Sequence, residues 1–421
     1  VAEFVECKAR ESRWLLETPK AVAERALAEG TMTEGEAKEF VEHCRSAALF
    51  QLFNLSVSVD DRFMEAVAAY QGWKDEGGLD SPDGARWMRK LPCGKTVAEL
   101  WDLIVARAAS SGDPGLIFLD RVQEYSRLQT PLEVISTNPC GEQPIPSNSS
   151  CNLGSIDLSK FVLDPFAEDA RFDAARFEKV VATAVRFLDD VIDLNNNPMP
   201  EIAEVSRLER RLGLGVMGWA DLLLKLAIPY DSDQAIKLAD WIGRIFCTAA
   251  HQASYALADE RGPFPLWKQV EGRKWEPGLH GTANPPNLFD PKRPRRNAAV
   301  TTVAPTGTLS RIAGCSGGIE PHFRAGFVDM ALRDSGGLGF VWASETIEGF
   351  LSGTKETNPG ETDVAAGAER LLAERFGWRG ANEIPVYWHV AHQAAWQRWI
   401  DASISKTVNL DSSATEADGA D

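Results

Sequence analysis

The run Ser136-Thr137-Asn138-Pro139-Cys140-Gly141-Glu142-Gln143-Pro144 is the most informative stretch of this chain, gathering an amide, a thiol and a carboxylate around one turn. Asn, Pro and Gly at the first, second and fourth places of a four-residue unit are type I turn preferences, which leaves Cys140 third, with its thiol at a loop tip. Glu142 two residues after it and Asn138 two before can converge on one small molecule if the loop points into a cavity. A neighbouring carboxylate opposes thiolate formation, so Cys140 is poorly placed as an ordinary nucleophile. What suits it is the chemistry of a neutral thiol that gives up a hydrogen atom. Alone, an Asn-Pro-Cys-Gly turn is more often structural than catalytic. Eleven residues on, however, Cys151 opens a second small-residue segment, Ser150-Cys151-Asn152-Leu153-Gly154-Ser155-Ile156, and two such cysteines are harder to dismiss as packing than one.

A second candidate is Ala304-Pro305-Thr306-Gly307-Thr308-Leu309-Ser310, which follows a β-branched run and is expected to end a strand and open a helix. Backbone N–H groups and hydroxyls at such a junction make an anion site. Other signals read as structural. Gly213-x-Gly215-x-x-Gly218 matches a dinucleotide-binding pattern, but Arg207-Leu208-Glu209-Arg210-Arg211 precedes it in place of an apolar strand, so close packing of a helix is expected. The six histidines are scattered, and His389 with His392 reads as a partly solvated pair on one helix face, with no metal site expected. Cys7, Cys44 and Cys247 fit helical apolar faces, Cys315 packs in a turn, and Cys93 sits in a turn with no carboxylate partner. Arg293 to Arg296 reads as a solvated loop.

The elements that must hold these residues interleave. Thr33 and Glu36 form a capping box, followed by helical spacing through Phe40 and Cys44. Residues 53–59 alternate as a half-buried strand, Phe63 to Tyr70 returns to helix, and helices are expected at about 96–109, 174–193 (Phe177, Val180, Val181, Ala184, Val185, Leu188) and 232–261. Short β-rich pieces lie at 115–119 and 299–304, and the Pro-rich run from Glu276 to Arg296 reads as an excursion loop. The pattern is that of an α/β protein in one domain, residues 1–421.

Acidic side chains outnumber basic ones, 61 to 44, for a net charge of −17, which disfavours nucleic acid and anionic membrane as partners. No apolar run reaches the roughly 20 residues of a membrane span. Seven cysteines without a CxxC argue for a reducing, cytoplasmic setting. Val1 falls in mid-helix and the chain ends in an acidic run, so a fragment cut at both ends is expected.

Asn138-Pro139-Cys140-Gly141-Glu142 followed by Cys151-Asn152-Leu153-Gly154-Ser155-Ile156 closely resembles the signature of the class II, adenosylcobalamin-dependent ribonucleotide reductases. Further blocks resemble that family in order: Phe53 to Val57, Gly213 to Gly218, Arg296-Asn297, Ala304 to Thr308, Ile312 to Pro321, and Ser405 to Leu410. The resemblance implies a ten-stranded α/β barrel, incomplete in this chain, with a central finger loop carrying Cys140. It makes Cys140 the thiyl radical that removes the ribose 3′ hydrogen and Glu142 the base on the 3′ hydroxyl. Asn138 would hold the hydroxyls, and Cys151 would be half of a dithiol reductant whose partner lies upstream of Val1. Residues Ala304, Pro305, Thr306, Gly307 and Thr308 would hold the substrate phosphates, although Arg311 stands where related sequences carry an aliphatic residue. It also implies adenosylcobalamin as cofactor, a ribonucleoside di- or triphosphate as substrate, and a thioredoxin or glutaredoxin as reductant. A nucleotide effector and a homodimer are left open. The rival readings are a class I large subunit with a separate radical subunit, and a split chain that works only with a partner. Residues 1–421 alone are expected not to turn over.

Overall fold

The computed structural model describes residues 21–28, 33–38, 55–78, 84–126, 129–273, 290, 292–333, 339–342, 344–353 and 364–409. The readings for Val1 to Val5, Cys7, Phe40 to Ala48, Phe53, Leu410 and nearly all of the excursion loop lie outside the described residues. Two compact units emerge, Val1–Val122 with Ser412–Asp421, and Gln123–Asp411.

In the first unit, Thr33 and Glu36 form the expected box: the Thr33 amide donates to Glu36 Oε2 at 2.8 Å and the Glu36 amide to Thr33 Oγ1 at 3.4 Å. Strand β1 (Ser56–Val59) pairs in parallel with β2 (Gly115–Phe118). Parallel neighbours need a long crossover, and helices α1 (Asp61–Asp75) and α2 (Val97–Ser111) supply it. Asp60 caps α1 through the Phe63 amide at 2.7 Å. A Thr96–Glu99 capping box starts α2, and Gly112, at φ 75°, ends it in the left-handed conformation glycine permits. Phe63, Val67 and Tyr70 of α1 share a core with Val97, Leu100, Trp101 and Ile104 of α2.

The second unit begins with an antiparallel hairpin, β3 (Val134–Thr137) and β4 (Pro144–Pro146). Strand β5 (Asn152–Asp157) then pairs in parallel with β6 (Leu212–Met217), Asn152 opposite Leu212 and Asp157 opposite Met217. Beyond β6 the segment 299–303 runs alongside, with the Leu214 amide donating to Val300 O and the Thr302 amide to Leu214 O, each at 2.9 Å. Beyond that lies 403–405, with the Ser405 amide donating to Val303 O at 2.9 Å. The expected strand at 299–304 is thus present as isolated parallel bridges, Leu214 to Thr301 and Val303 to Ile404. Among the described residues the named strands pair in twos, and no closed ring of strands forms.

Every residue of β6 is buried, as expected of a parallel strand covered on both faces. Helices α3 (Ala174–Leu194) and α5 (Asp233–Arg261) cover it, with the short α4 (Trp219–Lys225) between them in the chain. The α3 stripe is Phe177, Val181, Val185, Leu188 and Ile192, packed with Ile242, Phe246 and Ala250 of α5. Steps of mostly four residues turn Val180 outward, and it is exposed rather than part of the stripe.

Two expectations are corrected by long-range packing. The Gly213-x-Gly215-x-x-Gly218 pattern lies in β6 and its exit, where a helix was expected. A methyl group on Gly215 would stand 2.5 Å from Thr302 O, so glycine is what lets the next segment run so close. The Arg293 to Arg296 cluster is not a solvated loop either. Arg295 is buried with its guanidinium over Phe264 and Trp267 at 5.5 and 5.1 Å, Arg293 lies 4.4 Å over Tyr255, and Arg296 Nε donates to Asp189 at 3.2 Å.

Candidate active site at the Cys140 hairpin

The loop joining β3 to β4 is closed by its own main chain. Gly141 N donates to Asn138 O at 3.0 Å, completing a four-residue turn with Cys140 third, and Gly141 sits at φ 80°. The Asn138 amide donates to Gln143 O at 3.1 Å, and Asn138 Oδ1 accepts from Gln143 N at 2.9 Å. Asn138 therefore spends its side-chain carbonyl oxygen on shaping the loop. The turn leaves Cys140 exposed. Partial desolvation of its sulfur, and then the charge of Glu142, push the thiol above its ordinary range, which favours the S–H form.

Glu142 is only 1% exposed. Its main-chain oxygen accepts from Thr302 Oγ1 at 2.8 Å and from Ser403 N at 2.9 Å, which docks the loop onto the parallel segments beside β6. Its carboxylate Oε2 is buried with no protein partner. A buried carboxylate oxygen left unpaired is costly and calls for a ligand or a role.

Cys151, half-buried just before β5, points Sγ toward Asn152 O at 3.6 Å. Burial pushes its thiol up to about 12, Glu142 and Glu209 push the same way, and Arg211 pulls against them. Both cysteines thus feel the Glu142 charge.

The Ala304 to Thr308 segment continues from the 299–303 run, two residues past the Thr302 that holds Glu142. It does end an extended run and open a helix, α6 (Gly307–Ala313). Thr306 adopts φ 56°, and its Oγ1 accepts from Gly318 N at 2.9 Å. Gly317 and Gly318 make that fold-over feasible, since methyl groups there would stand 2.9 Å from Pro305 O and 3.1 Å from Ala304 O. Ala304 is buried, Pro305 and Thr306 half-buried, and Gly307 and Thr308 exposed, so α6 opens at the surface.

The His389–His392 pair is fully buried rather than partly solvated. His392 Nε2 donates to Tyr230 O at 2.9 Å, and His389 Nδ1 accepts from Lys406 Nζ at 2.8 Å. Burial first, and then the Lys406 charge, pushes His389 down to about 4, and burial pushes His392 down to about 3. Among the described residues no three His, Cys, Asp or Glu side chains gather as a metal site, and no helix is long and apolar enough to cross a membrane. Cys247 and Cys315 are buried, as expected. Sequence spacing did not single out Thr302, Ser403 or Gln143. The first two join the site from more than 150 residues away, and the only signal for Gln143 is its place next to Glu142.

A family model described as "Ribonucleotide reductase, barrel domain" matches residues 1–420, across both units. The chain is 39% identical over 370 residues to a vitamin B12-dependent ribonucleoside-diphosphate reductase of Thermoplasma acidophilum, covering 87% of this chain and 44% of that protein. It is 40% identical over 376 residues to one of Mycobacterium tuberculosis, covering 87% and 49%. The chain therefore spans about half the length of the curated relatives it matches. Among solved structures, the class Id ribonucleotide reductase alpha subunit of Actinobacillus ureae superposes with a TM-score of 0.52 at 22% identity, over 83% of this chain and 58% of that one, a likeness of fold. A match along essentially its whole length places this chain in the ribonucleotide reductase barrel-domain family.

Proposed function

We propose that this chain carries the catalytic centre of an adenosylcobalamin-dependent ribonucleotide reductase and that the β3–β4 loop is its finger, at the centre of a ten-stranded barrel. The observation that carries this reading is the loop itself: an exposed thiol at its tip, shifted toward the S–H form, with a buried carboxylate oxygen left unpartnered two residues on. The tip fits the cofactor's chemistry, since an S–H is what a carbon radical takes a hydrogen atom from, and Cys140 is the residue that meets it. Bound adenosylcobalamin supplies, by cobalt–carbon homolysis, the radical that starts the reaction.

In this reading Cys140 becomes the thiyl radical and removes the 3′ hydrogen of a ribonucleoside di- or triphosphate. Glu142 Oε2 accepts the 3′-hydroxyl proton, and Asn138 Nδ2 holds the neighbouring hydroxyl. Ala304 to Thr308 hold the phosphates through the exposed opening turn of α6. Cys151 gives one of two thiols that supply the electrons, and a thioredoxin or glutaredoxin in a reducing compartment resets the resulting disulfide. Two relatives named vitamin B12-dependent match at 39–40% identity over 87% of the chain, above both the 27–28% of others so named and the 31% over 59% of an alpha subunit of Chlamydia muridarum, and these highest identities support this radical source over a separate subunit. The test is deoxynucleotide formation by the whole protein with adenosylcobalamin and a dithiol, without a second protein subunit. Product is expected. Activity that appears only with a metal-bearing partner subunit overturns the cofactor assignment.

A further inference from the structure

Gln143 has a fixed main chain and an uncommitted side chain. Its amide and carbonyl are both bonded to Asn138, yet the residue is 2% exposed and neither Nε2 nor Oε1 has a partner. A buried carboxamide normally finds partners for most of its bonds, and leaving it empty costs stability. The side chain lies near Cys151: a methyl group on Gly213 would stand 2.9 Å from Gln143 Nε2 and 2.9 Å from Cys151 Sγ. The two atoms are thus no more than twice that distance apart, across a strand position where only glycine leaves room for both.

We propose that Gln143 is the positioning residue for Cys151, its Nε2–H reserved to donate to the Cys151 sulfur when that sulfur carries negative charge. A sulfur released from a disulfide leaves as thiolate. Here it does so beside the carboxylates of Glu142 and Glu209, with the Arg211 guanidinium as the opposing charge. A neutral donor steadies the thiolate without disturbing the carboxylate that the chemistry needs. Gly213 has the complementary task of keeping the approach open. The inference rests on the reading of Cys151 as a redox sulfur.

The test is alkylation of the full chain by iodoacetamide at fixed mildly alkaline pH, with modification of each cysteine followed by peptide mass spectrometry. Gln143→Met keeps the volume and removes the donor. Cys151 is expected to react about tenfold more slowly, the effect of one pKa unit on the thiolate fraction. Cys140 should keep its rate, and the thermal midpoint should hold or rise, because an unpaired buried amide has been removed. An unchanged Cys151 rate overturns the proposal, and so does a falling midpoint with both cysteines altered alike, which marks a structural role. If Gln143→Met does not fold, Gln143→Asn, which keeps a shorter amide, carries the test with about threefold slowing expected and an unchanged rate as refutation. Neither refutation touches the reductase reading, which fails instead if Cys151→Ser sustains multiple turnovers in the whole protein.

Discussion

Asp189 and Glu142 are both carboxylates buried in the Gln123–Asp411 unit, and their surroundings are opposite. Asp189 accepts from Arg210 Nε at 2.9 Å, Asn297 Nδ2 at 2.9 Å, Arg296 Nε at 3.2 Å and Arg261 Nη1 at 3.5 Å, which ties α3 to the entry of β6 and to the 296–297 segment. Glu142 leaves Oε2 empty, and beside it Gln143 leaves both amide atoms empty. Water-free burial penalises a lone polar group and rewards a fully paired one. The satisfied cluster is therefore architecture, while the unsatisfied one is held at a cost that only binding or chemistry recovers.

That contrast can be broken by paired substitutions. Glu142→Gln keeps the shape and removes the base, so the chemical step is expected to slow by roughly 10²–10⁴-fold with little change in thermal midpoint. A loss below about tenfold, with chemistry shown to limit turnover, returns Glu142 to a structural role. Asp189→Asn should do the reverse: stability drops by about 3 kcal/mol, the low end for breaking a buried pair, because Arg210 keeps Asp193 as a second carboxylate partner, while the folded fraction keeps its rate constant for chemistry. Equal damage to rate and stability from both substitutions would erase the distinction drawn between the two carboxylates.

Gly307→Val tests the anion segment. Nothing stands within 4 Å of a methyl group there, so the fold should tolerate it, and a nucleotide bound by the α6 amides should be held about tenfold more weakly in a direct titration, roughly 1.4 kcal/mol. Equal binding by both proteins excludes the segment.

The smallest effect concerns pH. An unfolded Cys151 ionises near 8.5 and the folded one at about 12. The native state therefore holds its proton longer. Its contribution to stability is whole below about 8.5 and declines as pH rises toward 12. Cys151→Ala should flatten the alkaline fall in thermal midpoint, and identical pH profiles would show that the thiol is not so perturbed.

What could be read without coordinates was local. The Asn-Pro-x-Gly turn put Cys140 third because those residues have backbone preferences that no distant contact overrode. The Thr33–Glu36 box and the 3.6-residue spacing of α3 were legible for the same reason, apart from Val180, which the stripe turned outward. The run from Leu212 to Met217 was misread because six buried residues look alike in a covered strand and in a buried helix. The Arg293 to Arg296 cluster and the His389–His392 pair were misread because Phe264, Trp267, Asp189, Tyr230 and Lys406, which cover or pair them, are separated from them in sequence. At the site, the loop residues were visible. Thr302 and Ser403, which dock the loop, were not, since nothing in a Thr or Ser marks it as the partner of a carbonyl over 150 residues away.

In the proposed reaction the Cys140 S–H, presented by this loop, is the group that acts on the ribose. Its most direct test is deoxynucleotide formation by Cys140→Ser in the whole protein with adenosylcobalamin and a dithiol, alongside the thermal midpoint of the same sample. A hydroxyl hydrogen is harder to abstract and the swap is nearly isosteric, so product should vanish while the midpoint stays at that of the unsubstituted protein. Substantial turnover by Cys140→Ser would show that another group acts on the ribose.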